Sequence, residues 1–399
     1  MRGVYSVKAL LKRLLRVSLE RGFLALSAVV PKKRGLVVFS MARGRYWDNP
    51  KVLFEYLAGN TDKTLDVRWL ADPDLPTEAM PSWCRDRFVP RHSVRGWLTC
   101  SKADVVVIAY SFGDFGLLRE VAKRKKVVML WHAITTKYCG LLDEKFSVDR
   151  KNRYVRRETR YYDRLIASSD IDRYYSASYT GMDVNSIVAT GLPRNDSLFG
   201  GGGSRQEEPR GFCFLYAPTF RDYPVAGGSV LFPFLHEVDS VVEWARKASI
   251  RFQLRPHPSD AESVAHVQLL ASQNPDVFLD AGVMEAPDVI DLIKGCDGII
   301  TDYSSTYVDG LALDRPVMFV DHDRELYMEK RGLAYDYDLI TPGPKVRTWP
   351  DFQRACEEMV EGAEAWAEHR EFVRKMFFKY RDAGACARVS ALIEEMVGR

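Results

Sequence analysis

The sequence contains no Cys-x-x-Cys pair and no His-Glu-x-x-His, and its seven cysteines (Cys84, Cys100, Cys139, Cys213, Cys296, Cys356, Cys386) are odd in number and scattered. That argues against a zinc site of regular spacing and against a disulfide framework. Several of them sit in apolar runs, where a reduced cysteine packs as a small hydrophobe, so a reducing compartment is expected. Gly-x-Gly-x-x-Gly and Gly-x-x-x-x-Gly-Lys-Ser/Thr loops are missing too, which disfavours NAD enzymes and P-loop ATPases. Neither a Gly-x-Ser-x-Gly elbow nor a paired-carboxylate motif is present. The longest uncharged run near the N-terminus, Gly22 to Pro31, is at most about half of a membrane span. Pro31-Lys-Lys-Arg34 follows it without a small-residue cleavage site, so it does not read as a signal peptide.

Charge is the first positive signal. Residues 1–34 carry nine cations (Arg2, Lys8, Lys12, Arg13, Arg16, Arg21, Lys32, Lys33, Arg34) against Glu20. This local +8 in a chain of net +3 leaves −5 for the rest. A nucleic-acid binder more often spreads its basic face over a folded domain, so no nucleic-acid partner is expected. Val4, Val7, Leu10, Leu11, Leu14 and Leu15 recur at helical spacing among the cations. Such a helix can lie on an anionic membrane surface; a helix packed on the body is the alternative.

From residue 35 the pattern alternates strand and helix. Buried parallel strands are expected at Leu36–Met41, Val67–Ala71, Asp104–Ala109, Val127–Trp131, Leu165–Ser168 and Ile187–Thr190. Four glycines followed by a charged, proline-ended stretch predict a hinge over 200–210. Strands resume at Phe212–Tyr216, Arg251–Leu254, Val277–Leu279, Gly298–Thr301 and Val317–Val320, and residues 349–399 read as helical. The organisation is therefore α/β: an N-terminal Rossmann-like domain over 35–199 and a second over 211–348, facing a cleft. In such sheets ligands sit beyond the C-terminal ends of the strands.

Polar residues accumulate at those ends. One strand runs into Trp131-His132, with Lys137 five residues on; a near-neutral imidazole there can take a hydroxyl proton, although capping a strand end is the plainer role. Another runs into Arg255-Pro-His-Pro258, where two prolines stiffen the backbone around His257. A third runs into Thr301-Asp-Tyr-Ser-Ser305, where Asp302, Ser304 and Ser305 open a helix and make an anion site or an ordinary cap. Arg194 and Asp196 follow a strand near the hinge, and Thr219 and Arg221 follow the first strand of the second half. Either arginine can meet a phosphate or form an ion pair. Asn49, after the first strand, belongs to the acceptor side or caps a helix.

Taken in order, Asp48-Asn-Pro-Lys51, Trp131-His132 with Lys137, Thr190-Gly-Leu-Pro-Arg-Asn-Asp196, Ala217-Pro-Thr-Phe-Arg221, Arg255-Pro-His-Pro258 and Thr301-Asp-Tyr-Ser-Ser305 resemble the CDP-glycerol glycerophosphotransferase family of teichoic-acid and capsule enzymes. The likeness extends to Asp382-Ala-Gly-Ala-Cys-Ala-Arg388. It departs from the family at Ala133, where Trp-His-Gly is usual, and at Ala383, where Asp-Gly is favoured.

The resemblance implies a GT-B-like fold with His132 and His257 as the essential histidines. It implies transfer of glycerol phosphate or ribitol phosphate from a CDP-polyol to a hydroxyl of an undecaprenyl-diphosphate-linked glycan, with release of CMP. The site of action it implies is the cytoplasmic face of the bacterial inner membrane, with peripheral attachment. The chain's size resembles a primase or short transferase more than a polymerase. No cofactor and no metal ligand set are required, and magnesium accompanying the diphosphate needs no protein signature. The competing expectations are a nucleotide-sugar glycosyltransferase, a capsule polyol-phosphate polymerase and a non-catalytic binder of lipid-linked glycans.

Overall fold

The computed structural model describes residues 7–42, 45–60, 64–200, 211–223, 238–362 and 364–398. Most of the expected hinge and the first six residues of the basic leader lie outside the described residues.

Runs of β-branched residues form strands because buried parallel strands face apolar neighbours on both sides. The first sheet holds β1 (Leu36–Ser40), β2 (Asp66–Ala71), β3 (Phe88–Pro90), β4 (Val105–Ile108), β5 (Lys126–Met129), β6 (Arg164–Ala167) and β7 (Ile187–Ala189), in the order 3-2-1-4-5-6-7. The second holds β8 (Phe212–Tyr216), β9 (Ile250–Leu254), β10 (Phe278–Asp280), β11 (Gly298–Thr301), β12 (Val317–Val320) and β13 (Lys345–Val346), in the order 10-9-8-11-12-13. Every pairing in both is parallel. The edge strands β3 and β13 go beyond the sequence expectation: one ends in proline and the other has two residues, too few for a pattern.

Each sheet winds outward from its middle and then returns, so strand order reverses between β1 and β4 and between β8 and β11. Such switch points open a crevice at the strands' C-terminal ends. Between the sheets lies one continuous apolar cluster that mixes Phe39, Phe54 and Trp69 with Leu215, Ile299 and Tyr307. The two domains are therefore joined by a shared core as well as by the chain.

The C-terminal helical stretch divides between them. Trp349–Val360 packs on the second sheet through Phe352, Cys356 and Met359. Ala385–Gly398 crosses back to the first domain, where Asp196 accepts from the Ala385 and Cys386 N–H groups at 2.8 Å each. These are free N–H groups of a first helical turn, which a carboxylate stabilises. Arg388 adds a bond to the Thr190 carbonyl at 2.7 Å.

The leading helix, Val7–Ser27, presents two faces. Glu20, 2% exposed, bonds Arg119 at 2.8 Å and Arg16 at 2.9 Å, and the Phe23 carbonyl accepts from the Trp97 indole at 3.2 Å. On the other side Leu11, Leu14, Leu15, Leu19 and Leu26 are exposed. Among the described residues no helix is long and apolar enough to cross a membrane.

Candidate active site

The first wall of the crevice is organised by a buried arginine. Arg194 donates through Nη2 to Asp309 at 2.7 Å and through Nη1 to Asp48 at 3.3 Å and to the His132 carbonyl at 2.7 Å. Burial works against its charge, and Asp309 and Asp48 outweigh that, holding it up. Its backbone N–H donates to Asn49 Oδ1 at 3.1 Å, and Asn49 Nδ2 donates to the Trp131 carbonyl at 3.0 Å. Two consecutive carbonyls on the approach to His132 are thus held by Asn49 and Arg194. The node also fixes two non-glycine residues in the left-handed region, Asp48 at φ 62° and Trp131 at φ 55°.

His132 stacks on Tyr110, with ring centroids 4.4 Å apart and planes 14° apart. Its Nδ1 lies 3.4 Å from the Ala109 carbonyl. A carbonyl can only accept, which assigns the proton to Nδ1 and leaves Nε2 the basic nitrogen. Burial, with Arg194 and Arg45 nearby, pushes its pKa down to about 4, so the ring is neutral at physiological pH.

The second wall repeats the design. Arg221 pairs with Asp302 at 2.8 Å and with Asp323 at 2.8 Å, its guanidinium 4.9 Å from the Tyr303 and Tyr327 ring centroids. It donates to the Thr219 carbonyl at 2.6 Å. Asp302 accepts from the Thr219 N–H at 2.9 Å and the Ser304 N–H at 3.2 Å. The loops after β8 and β11 are thereby locked together. His257 stacks on Phe220 at 5.4 Å and accepts the Ser259 N–H at Nδ1, 3.2 Å, so a neutral ring carries its proton on Nε2. Burial and then Lys137 lower its pKa, opposed by Asp260. Among the described residues Arg255 hydrogen-bonds only carbonyls, those of Ala281, Ala286 and Pro287; burial lowers its pKa, and Asp288 opposes that.

The crevice has two chambers. The larger, about 620 Å³, is lined by Arg45, Tyr110, His132, Arg255, His257 and Ser305 among others. The smaller, about 260 Å³, holds Lys137, Tyr138, Thr219, Tyr327 and Arg331, and both share Pro218, His257 and Ser304. Lys137 donates to Thr219 Oγ1 at 3.1 Å, and burial pushes its pKa down to about 8. Ser305 precedes the short helix Thr306–Leu311 without capping it through its side chain, whereas the Ser304 hydroxyl lies 3.0 Å from that of Thr306.

His132, His257, Lys137, Arg255, Thr219, Ser304 and Ser305 thus come together. Arg194 lines the larger chamber but is bound to carboxylates, as is Arg221, and Asp302 is taken up by Arg221 and by the Thr219 and Ser304 N–H groups. Asn49 spends its amide on the backbone, which goes beyond a helix cap. Asp196, 2.8 Å from the last helix, lines neither chamber. Arg45, Tyr110, Asp309 and Arg331 carry no local motif and emerge only in three dimensions. Among the described residues no group of three His, Cys, Asp or Glu side chains could hold a metal ion.

Residues 23–395 match the family described as CDP-Glycerol:Poly(glycerophosphate) glycerophosphotransferase. The chain belongs to this family. It is 26% identical to the teichoic acid glycerol-phosphate transferase of Staphylococcus aureus, over 97% of this chain and 99% of that one. It is 23% identical to the teichoic acid glycerol-phosphate primase of Bacillus subtilis, over 73% of this chain and 76% of that one. The fold is that of the wall teichoic acid polymerase TagF, with TM-score 0.78 and 21% identity over 99% of both chains. TagF has also been solved after soaking with CDPG. The protein is therefore a transferase of the glycerophosphotransferase family with the GT-B-like arrangement expected from its sequence.

Removing one partner of a buried ion pair strands the other, so Arg194→Met should lower unfolding stability by about 3–5 kcal/mol. Adding Asp309→Asn should restore part of it. Chemical denaturation of the single and double variants measures both effects; equal stability of wild type and Arg194→Met would contradict the strut.

Proposed function

We propose that the protein moves glycerol phosphate or ribitol phosphate from a CDP-polyol to a hydroxyl of a lipid-linked glycan, releasing CMP, as a primase or short transferase. The observation that carries this is the pair of imidazoles on one crevice with opposite tautomers. His132 offers a bare Nε2 and His257 an Nε2–H.

The acceptor hydroxyl gives its proton to His132 Nε2 and attacks the β-phosphorus in line. His257, Arg255 and the Ser304–Ser305 turn hold the diphosphate as charge moves onto the leaving CMP. Phosphoryl transfer depends mainly on positioning and electrostatics, which preorganised donors supply without rearrangement. Similarity along nearly the whole glycerol-phosphate transferase supports the short-transferase reading.

An undecaprenyl-diphosphate-linked glycan at the cytoplasmic face of the inner membrane requires the enzyme to sit on that surface. The exposed leucines of the leading helix supply an apolar face with Lys12 and Arg16 exposed beside it. The helix Val148–Arg157 adds exposed Arg150, Arg153, Arg156 and Arg157. Both flank the segment 112–122: Arg119 holds Glu20 on one side, and the Phe112 N–H donates to Glu158 at 3.0 Å on the other.

CMP release from CDP-glycerol in the presence of a lipid-diphosphate disaccharide should fall about 10²–10⁴-fold in His132→Ala and strongly in His257→Ala; undiminished turnover in either removes that residue from the mechanism. A base must be unprotonated to act. With the His132 pKa pushed down to about 4, kcat/KM should hold as pH falls through 6.5 and drop only toward 4. An acid limb at 6.5 would contradict the assignment. Leu15→Glu with Leu19→Glu should cut co-sedimentation with anionic phospholipid vesicles several-fold, and unchanged co-sedimentation would refute the docking face.

A further inference from the structure

The larger chamber can hold both ends of an in-line displacement, with His132 on one wall and Arg255 beside Pro287–Val289 on the other. The entering and leaving oxygens then lie on opposite sides of phosphorus. The remaining substituents, including the ester oxygen that bears the polyol, point across that axis. The polyol therefore needs space beside that axis, and the smaller chamber adjoins the larger at Pro218, His257 and Ser304, which line both.

We infer that the smaller chamber is the pocket for the polyol phosphate in transit, with Lys137 and Arg331 as its cationic walls. The inference rests on the donor assignment made above and adds a binding site to it. At about 260 Å³ the space is below the usual range for whole ligands, which suits one group of a donor. Its chemistry suits a polyhydroxy phosphate: the Lys137 ammonium, the Arg331 guanidinium and the hydroxyls of Thr219 and Ser304. Lys137 bonds a hydroxyl and lies 5.9 Å from the Tyr327 ring centroid. Arg331 shares Asp222 at 3.1 Å. The outer wall is Tyr138, held against Gly332, where a Cβ would lie 2.8 Å from the ring. During transfer the acceptor oxygen bonds phosphorus and the bond to CMP breaks, its electron pair leaving on CMP. The proton goes to His132 and the polyol keeps its ester.

Titration calorimetry of CMP and CDP-glycerol against full-length wild type, Lys137→Met and Arg331→Gln tests the assignment. Both variants should bind CMP within about two-fold of wild type and CDP-glycerol about 10–100-fold more weakly. Lys137 also forms a backbone bridge to Leu333, so its retained CMP affinity is the control for folding. If that affinity is lost, the exposed Arg331→Gln variant decides alone. Equal losses for the two ligands, or none for CDP-glycerol, overturn the pocket. A wild type that binds neither ligand overturns the donor reading itself, and the pocket with it.

Discussion

The guanidinium of Arg194 is the constraint on which the rest of the site depends. It is a buried charge with one carboxylate from each domain, Asp48 and Asp309, and desolvation on that scale is tolerated only when the charge is paired, as it is here through both Nη groups while Nε has no partner among the described residues. Once formed, the cluster leaves the neighbouring backbone little freedom. Asp48 and Trp131 keep left-handed torsions that cost about 1–3 kcal/mol each, and they persist because Asn49 and Arg194 hold the peptides that follow. The direction of the His132 ring is thus set by an interaction that spans both domains. A change in domain packing would reach the base through three covalent and hydrogen-bonded steps.

Arg221 plays the matching part in the second domain. Its carboxylates, Asp302 and Asp323, follow β11 and β12, and its carbonyl contact is to Thr219 after β8. Three strand ends are joined there by one cation. Of the two roles open to Arg194 and Arg221 in the sequence, both arginines take the ion pair, and each fixes loops that carry lining residues while Arg194 itself lines the larger chamber. Arg255 and Lys137 instead hydrogen-bond only uncharged oxygens among the described residues, with Asp288 and Asp302 respectively favouring their charged forms against burial. The division has a physical basis. A guanidinium forked onto carboxylates has little left for a ligand, whereas one bonded to carbonyls keeps its full charge.

Both sheets were legible because the signal is local: runs such as Val105–Ile108 and Val317–Val320 can be little else than buried strands. The crevice was legible through the rule of strand ends, which led to His132, His257, Arg255 and Ser304. The roles of Arg194 and Arg221 were not, because Asp309 and Asp323 are more than 100 residues away along the chain. Tyr110 and Arg331 were missed for the same reason, as ring stacking and side-chamber lining leave no spacing to read. Residues 349–399 read as one helical tail, yet fall into parts that serve different domains. Composition reports helicity, while the partner of each helix is decided by tertiary contacts such as Asp196 with the start of Ala385–Gly398.

A base whose pKa lies near 4 is weak, and the causes of its weakness are those a donor reverses. Burial disfavours the imidazolium, and Arg194 and Arg45 repel it. A diphosphate in the larger chamber brings about two negative charges close to the same ring, and nearby opposite charge favours the protonated imidazole. Proton affinity at His132 is then greatest when the donor is in place. On the proposed mechanism the substrate completes its own catalyst, and an acceptor hydroxyl that arrives first meets a ring with little tendency to take its proton. The empty crevice can remain open to water without holding a strong base, while the charges that restrain His132 also attract the ligand that releases it.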